Sequence, residues 1–287
     1  MRQINHSIPD KGIYIFIHNY CIEVIRMEIR TTKAQKRELI KNIKRGRIKN
    51  NEKVWNYLIA HLISNSDNNK EYINKICGKN VNITKQNQMF WYEPEPLPPR
   101  MGEGNTKLDL ALGDIKLRDE TQLGIEYNHN SKTSWVSFIE GKYLSDCSTI
   151  VSNDPLRNQI VRIIENLLCF QANSQFPSEL YFTLLTPRKF KENPYTRLYG
   201  YKMEEYQDDE KLTRDIKLSN LEKRNQPNKW SYPNNIKNRM KKLKLNWITY
   251  EEIIEKELNI PVMDLTNIQP NNLNTITEYL RNKILDE

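Results

Sequence analysis

The chain has 287 residues, 38% apolar and 28% charged, with 44 Lys and Arg against 36 Asp and Glu. That length suits one elaborated domain, or one and a half, with a full core, and the apolar content excludes a disordered chain. No apolar run reaches the roughly 18 to 20 residues of a bilayer span, so no membrane role is expected.

The net charge of +8 is uneven. Arg30 to Lys49 holds nine basic residues and one acid, Glu38, and Lys223 to Lys244 holds eight basic residues and no acid. Each segment carries +8, leaving the rest of the chain at −8. Two basic stretches on a mildly acidic body suggest a polyanionic partner; two solvated faces are the other reading. Cys21, Cys77, Cys147 and Cys169 lie far apart and read as buried free thiols, and the four histidines do not cluster, so zinc spacing is absent.

In chain order, Ile13 to Ile25 is apolar but broken by His18, Asn19 and Glu23. It reads as a strand or buried segment, without the basic leader and cleavage site of a signal peptide, and a cytoplasmic protein is expected. Lys33 to Ile43 is a basic helix. Glu52 to Ser64 places Val54, Trp55, Leu58, Ile59, Leu62 and Ile63 at helical spacing. Residues 1–90 thus read as a mainly helical N-terminal region. Four prolines between Pro94 and Pro99 make an extended connector. Gly102 to Lys107 lacks the ending of a phosphate loop and reads as a turn.

From there the pattern becomes strand-like. Leu108 to Leu112 is a short apolar run around Asp109. Gln122 to Tyr127 and Ser134 to Tyr143 read as strands about an Asn128 to Ser131 turn. Asp154-Pro155 predicts a helix start, running to Cys169 with Leu156, Ile160, Ile163, Ile164, Leu167 and Leu168 on its core side. Glu179 to Pro187 is a strand, Leu245 to Tyr250 another, and Glu251 to Leu258 and Asn272 to Leu285 are helices. The order implies a mixed α/β fold, a central mixed sheet flanked by helices.

The chemistry-bearing segment is Glu140-Gly141-Lys142. Residues two apart on a strand point the same way, so a carboxylate and an ammonium project side by side, and Gly141 permits close approach of a ligand. Such groups ending an apolar strand need a partner. If the Asp109 strand lies alongside, Asp109 and Glu140 can share a hard cation such as Mg²⁺. Asp109 could instead be a structural acid, with Asp114 as the alternative first carboxylate. Glu126 reads as a strand-face residue or a further ligand, and Glu52 as a helix-start acid or an extra carboxylate. Trp91, Trp230 and Tyr232 could stack on bases or serve in packing.

An acid on one strand, Glu-x-Lys on the next and then a helix resembles the PD-(D/E)XK, or restriction-endonuclease-like, nuclease superfamily. The resemblance covers about residues 88–255, with Asp109 and Glu140 31 positions apart and Leu108-Asp109 where many members have Pro-Asp. It implies a nuclease core over residues 91–287, including the C-terminal helices. It also implies catalytic Asp109, Glu140 and Lys142, metal ligands Asp109 and Glu140, and Gln159 and Arg162 facing the site or a phosphate. The activity implied is Mg²⁺- or Mn²⁺-dependent hydrolysis of DNA, in restriction or anti-phage defence, with a homodimer or a defence-system protein as partner. The alternative is a non-catalytic DNA-binding or assembly module on the same fold. A glycosidase with paired carboxylates gives no reason for Lys142.

Overall fold

The computed structural model describes residues 27–149, 153–226 and 229–284, with the backbone of Phe16, Ile17, Tyr20 and Cys21. Most of the Ile13 to Ile25 segment lies outside the described residues; within it, Phe16–Ile17 pairs antiparallel with Tyr20–Cys21.

A mixed six-stranded sheet organises the chain. Its strands are β1 (Glu28–Arg30), β2 (Met89–Tyr92), β3 (Leu110–Gly113), β6 (Trp135–Gly141), β7 (Glu179–Thr186) and β8 (Leu243–Thr249), and a side hairpin holds β4 (Ile115–Leu117) and β5 (Gly124–Tyr127). The spatial order is β8-β7-β6-β3-β2-β1. Strands β6, β7 and β8 run parallel, whereas β3 runs antiparallel to both β6 and β2.

Both sheet faces are covered. One carries α1 (Lys33–Lys44), α2 (Glu52–Asn65), α3 (Asn69–Cys77), α9 (Tyr250–Leu258) and α10 (Pro270–Ile284). Their side chains form one core with Trp135 and Ile139 of β6. The other carries α4 (Gln159–Leu168), α5 (Arg188–Glu192), α6 (Leu198–Glu205), α7 (Asp209–Lys217) and α8 (Ile236–Met240), packed on Val136 and Phe138. Alternate residues of β6 thus serve opposite cores, as the strand period requires, and all seven are buried. The composition break at residue 90 falls inside β2, and the N-terminal helices share one core with α9 and α10.

Helix α2 begins where its sequence predicts, because Asn51 caps it by accepting from the Val54 amide. Helix α4 does not. Asn158 caps it, and Gln159 rather than Pro155 opens it. Asp154 is instead spent on Arg157, which also meets Glu103 and Glu165. Arg157 is 1% exposed, and a guanidinium so deep demands carboxylates around it. Drawing it inward holds residues 154–158 as a loop and leaves Leu156 50% exposed, outside the core assigned to it.

Cys77, Cys147 and Cys169 are buried free thiols. Among the described residues no helix is long and apolar enough to cross a membrane.

Candidate active site

The side chains of interest meet at the end of the sheet where β6 finishes. Glu140 shares the face of Val136 and Phe138, and Lys142 follows two residues on. Lys142 Nζ lies 2.8 Å from Glu140 Oε1 and 3.5 Å from Glu52 Oε1. Asp109 immediately precedes β3, and its Oδ2 accepts from the Gly141 amide at 2.8 Å. The antiparallel register that sets Leu110 opposite Ile139 brings Asp109 beside Glu140.

Two helices point their first residues at this cluster from opposite faces of the sheet. Gln159, opening α4, donates from Nε2 to Glu140 Oε1 at 2.6 Å. Glu52, opening α2, accepts from the Tyr143 amide at 2.9 Å and from Ser145 Oγ at 2.7 Å. Helix N-termini carry partial positive charge and free amides, which favours anions there.

The electrostatics are strained. Glu140 is 2% and Lys142 5% exposed, while Asp109 keeps some exposure. Burial, then the neighbouring Glu140, push the Asp109 carboxyl well above its usual range. Burial also raises Glu140, and the Lys142 ammonium only partly offsets it. Burial by itself would lower Lys142, but Glu140, Asp109 and Glu52 outweigh it and hold the ammonium charged. Among the described residues one cation therefore serves three carboxylates.

A divalent cation would relieve this imbalance, and an all-oxygen donor pair suits a hard ion such as Mg²⁺ or Mn²⁺. Among the described residues no three His, Cys, Asp or Glu side chains form a ligand cage. Mg²⁺ commonly takes only one or two carboxylates, with water and phosphate oxygens completing its shell. Asp109 and Glu140 fit that role.

Several candidates lie elsewhere. The Arg162 guanidinium donates to Glu103 Oε1 at 2.8 Å and to the Glu103 and Gly104 carbonyls, and among the described residues it has no bond to Asp109, Glu140 or Lys142. Asp114 is structural, accepting from Ser131, Thr133 and the Trp135 amide. Glu126 pairs with Lys116 on the side hairpin. Trp91 and Trp230 are buried, and Tyr232 donates to Glu165. Glu103, in the Gly102 to Lys107 turn, anchors Arg157 and Arg162.

Asn56 escaped the sequence reading, although it lies one helical turn beyond Glu52 on α2. Its Oδ1 accepts from the Tyr250 hydroxyl at 2.6 Å, and its carboxamide fills the space a Cβ at residue 141 would need. Gly141→Ala is therefore expected to destabilise the protein by about 1–3 kcal/mol through overpacking, measured by urea unfolding. Unchanged stability would show that Asn56 can move aside.

Comparison of the chain with protein-family models, with curated proteins and with solved structures gives no match.

Proposed function

We propose that this chain is a cytoplasmic, metal-dependent endonuclease of the restriction-endonuclease-like class, hydrolysing DNA phosphodiester bonds with Mg²⁺ or Mn²⁺. The observation that carries the reading is the convergence of Asp109, Glu140 and Lys142 at the sheet end, between the first turns of α2 and α4. When bound, the ion supplies Lewis-acid stabilisation of the phosphate and acidifies an attacking water. Asp109 and Glu140 would hold it. Lys142, kept protonated by its three carboxylate neighbours, orients the water and offsets charge as the pentavalent centre forms. Gln159 fixes the Glu140 carboxylate by its hydrogen bond. Glu52 fixes Lys142 and, through the Tyr143 amide and Ser145, the chain that follows it.

The test is incubation with plasmid, phage and single-stranded DNA, with and without Mg²⁺. Cleavage should require the ion and fall by about 10³-fold or more in Glu140→Gln, as when one group that stabilises transition-state charge is removed. Full activity in that variant, or equal cleavage in chelator, would sink the reading. Metal-independent DNA binding without cleavage would identify a non-catalytic module instead.

A further inference from the structure

The two basic segments are equivalent in charge but not in place. The first ends beside the candidate active site. Helix α1 stops at Lys44, Gly46 turns the chain at φ 66°, and Asn51 caps α2 one residue before Glu52. In the intervening loop Ile48 is buried, whereas Arg45, Arg47 and Lys49 are exposed. Backbone bonds from Arg47 to the Asn42 carbonyl and from Asn51 to the Ile48 carbonyl hold the loop's shape. The Lys49 carbonyl accepts from the Trp55 indole at 3.3 Å. Trp55 stacks on Tyr143 at 5.0 Å between centroids, and Tyr143 adjoins Lys142 and donates its amide to Glu52. The loop is thus two contacts from the cluster.

Among the described residues, Arg45, Arg47 and Lys49 meet no carboxylate within ion-pair distance; the nearby cation that does is Lys53, with Glu38 and Glu93. Fixed, exposed, unneutralised cations beside a site raise the local concentration of anionic ligands.

The C-terminal part of the second segment, Arg239 to Lys244, lies at the far end of the sheet. Leu243, where β8 begins, is level with Leu180 of β7 and so with Val136 of β6. That is four residues before Glu140, about 13 Å along the strands and two strands across. Arg239 is consumed internally, donating to the carbonyl of Leu168 at the C-terminal end of α4, opposite Gln159, and to that of Pro177 just before β7. Lys241, Lys242 and Lys244 remain exposed there.

We propose that Arg45, Arg47 and Lys49 form a phosphate clamp that grips the DNA backbone next to the scissile bond, and that Lys241, Lys242 and Lys244 lie outside the substrate path. This rests on the endonuclease reading, but the clamp is measurable without cleavage. The experiment compares R45A/R47A/K49A with K241A/K242A/K244A in the full chain, using a fluorescent duplex oligonucleotide without divalent metal and a salt titration. The clamp variant should bind at least about tenfold more weakly, and the slope of log affinity against log salt should shrink by about 3, one per lost phosphate contact. The control triple should match the unsubstituted protein in both. With Mg²⁺, the clamp variant should show a raised KM at nearly unchanged kcat. Unchanged affinity and slope in the clamp variant, or an equal loss in the control triple, overturns the clamp. Absence of cleavage by the unsubstituted protein overturns the endonuclease reading and leaves the binding comparison to judge the clamp.

Discussion

Lys142→Ala is expected to abolish cleavage and to destabilise the metal-free protein by about 3 kcal/mol, the scale of removing one partner from a buried ion pair. Among the described residues Lys142 is the one ammonium that meets Glu140 and Glu52, and its charge also bears on Asp109. Deleting it leaves carboxylates facing each other in a buried corner. Two manipulations should recover the lost stability while leaving the protein inactive. Millimolar Mg²⁺ should do so by supplying positive charge to Asp109 and Glu140. The second change Asp109→Asn should do so by removing a negative charge, giving a coupling energy of at least about 1 kcal/mol in a double-mutant cycle. Urea unfolding of the four proteins, with and without Mg²⁺, checks this. Additive effects of the two substitutions would mean that Lys142 and Asp109 do not sense one another.

Asp109→Asn alone should separate stability from activity. Asparagine keeps an oxygen that can accept from the Gly141 amide but carries no charge beside Glu140. We expect cleavage to be lost and the metal-free protein to gain about 1–2 kcal/mol, the usual exchange at a site built of opposed charges. The pH dependence fixes the sign. The folded-state pKa of Asp109 lies above its unfolded value because of burial and then Glu140. Its contribution to stability is therefore complete below the ordinary carboxyl range and is lost as pH rises through the raised folded value. Glu140 is raised by burial and behaves alike. The stability gap between Asp109→Asn and the unsubstituted protein should widen with pH in chelator and narrow when Mg²⁺ is added. Cleavage should rise over the same pH interval, since the ion requires both carboxylates deprotonated. Thermal unfolding across pH 4 to 8 in chelator reads the gap; a gap independent of pH would contradict the charge argument.

Local rules carried much of this arrangement. The two-residue period of a strand puts Glu140 and Lys142 on one side, and their 2.8 Å contact follows. The 3.6-residue period and the Asn51 cap define α2, and with it the place of Glu52. What local pattern could not carry was long-range ion pairing. The resemblance implies Arg162 facing the site or a phosphate, whereas its guanidinium donates to Glu103, 59 residues earlier. Asp154-Pro155 has the composition of a helix start, yet Arg157 claims Asp154 and moves the start to Gln159. The two basic segments look alike because charge counting ignores register, whereas the α1–α2 loop carries Arg45 to Lys49 up to Glu52 and the parallel pairing of β6, β7 and β8 sets Lys241 to Lys244 at the other end of the strands. Asn56 was legible only once Glu52 was known to matter, as the next residue on the same helix face.

In the proposed endonuclease Asp109 and Glu140 together hold one divalent cation. Titration of Mn²⁺ into the full chain, followed by electron paramagnetic resonance of the free ion, tests it most directly. One site should fill at millimolar or lower Mn²⁺, be displaced by excess Mg²⁺, and be lost in both Asp109→Asn and Glu140→Gln. No uptake by the unsubstituted protein at millimolar Mn²⁺, or equal uptake by the two variants, would contradict it.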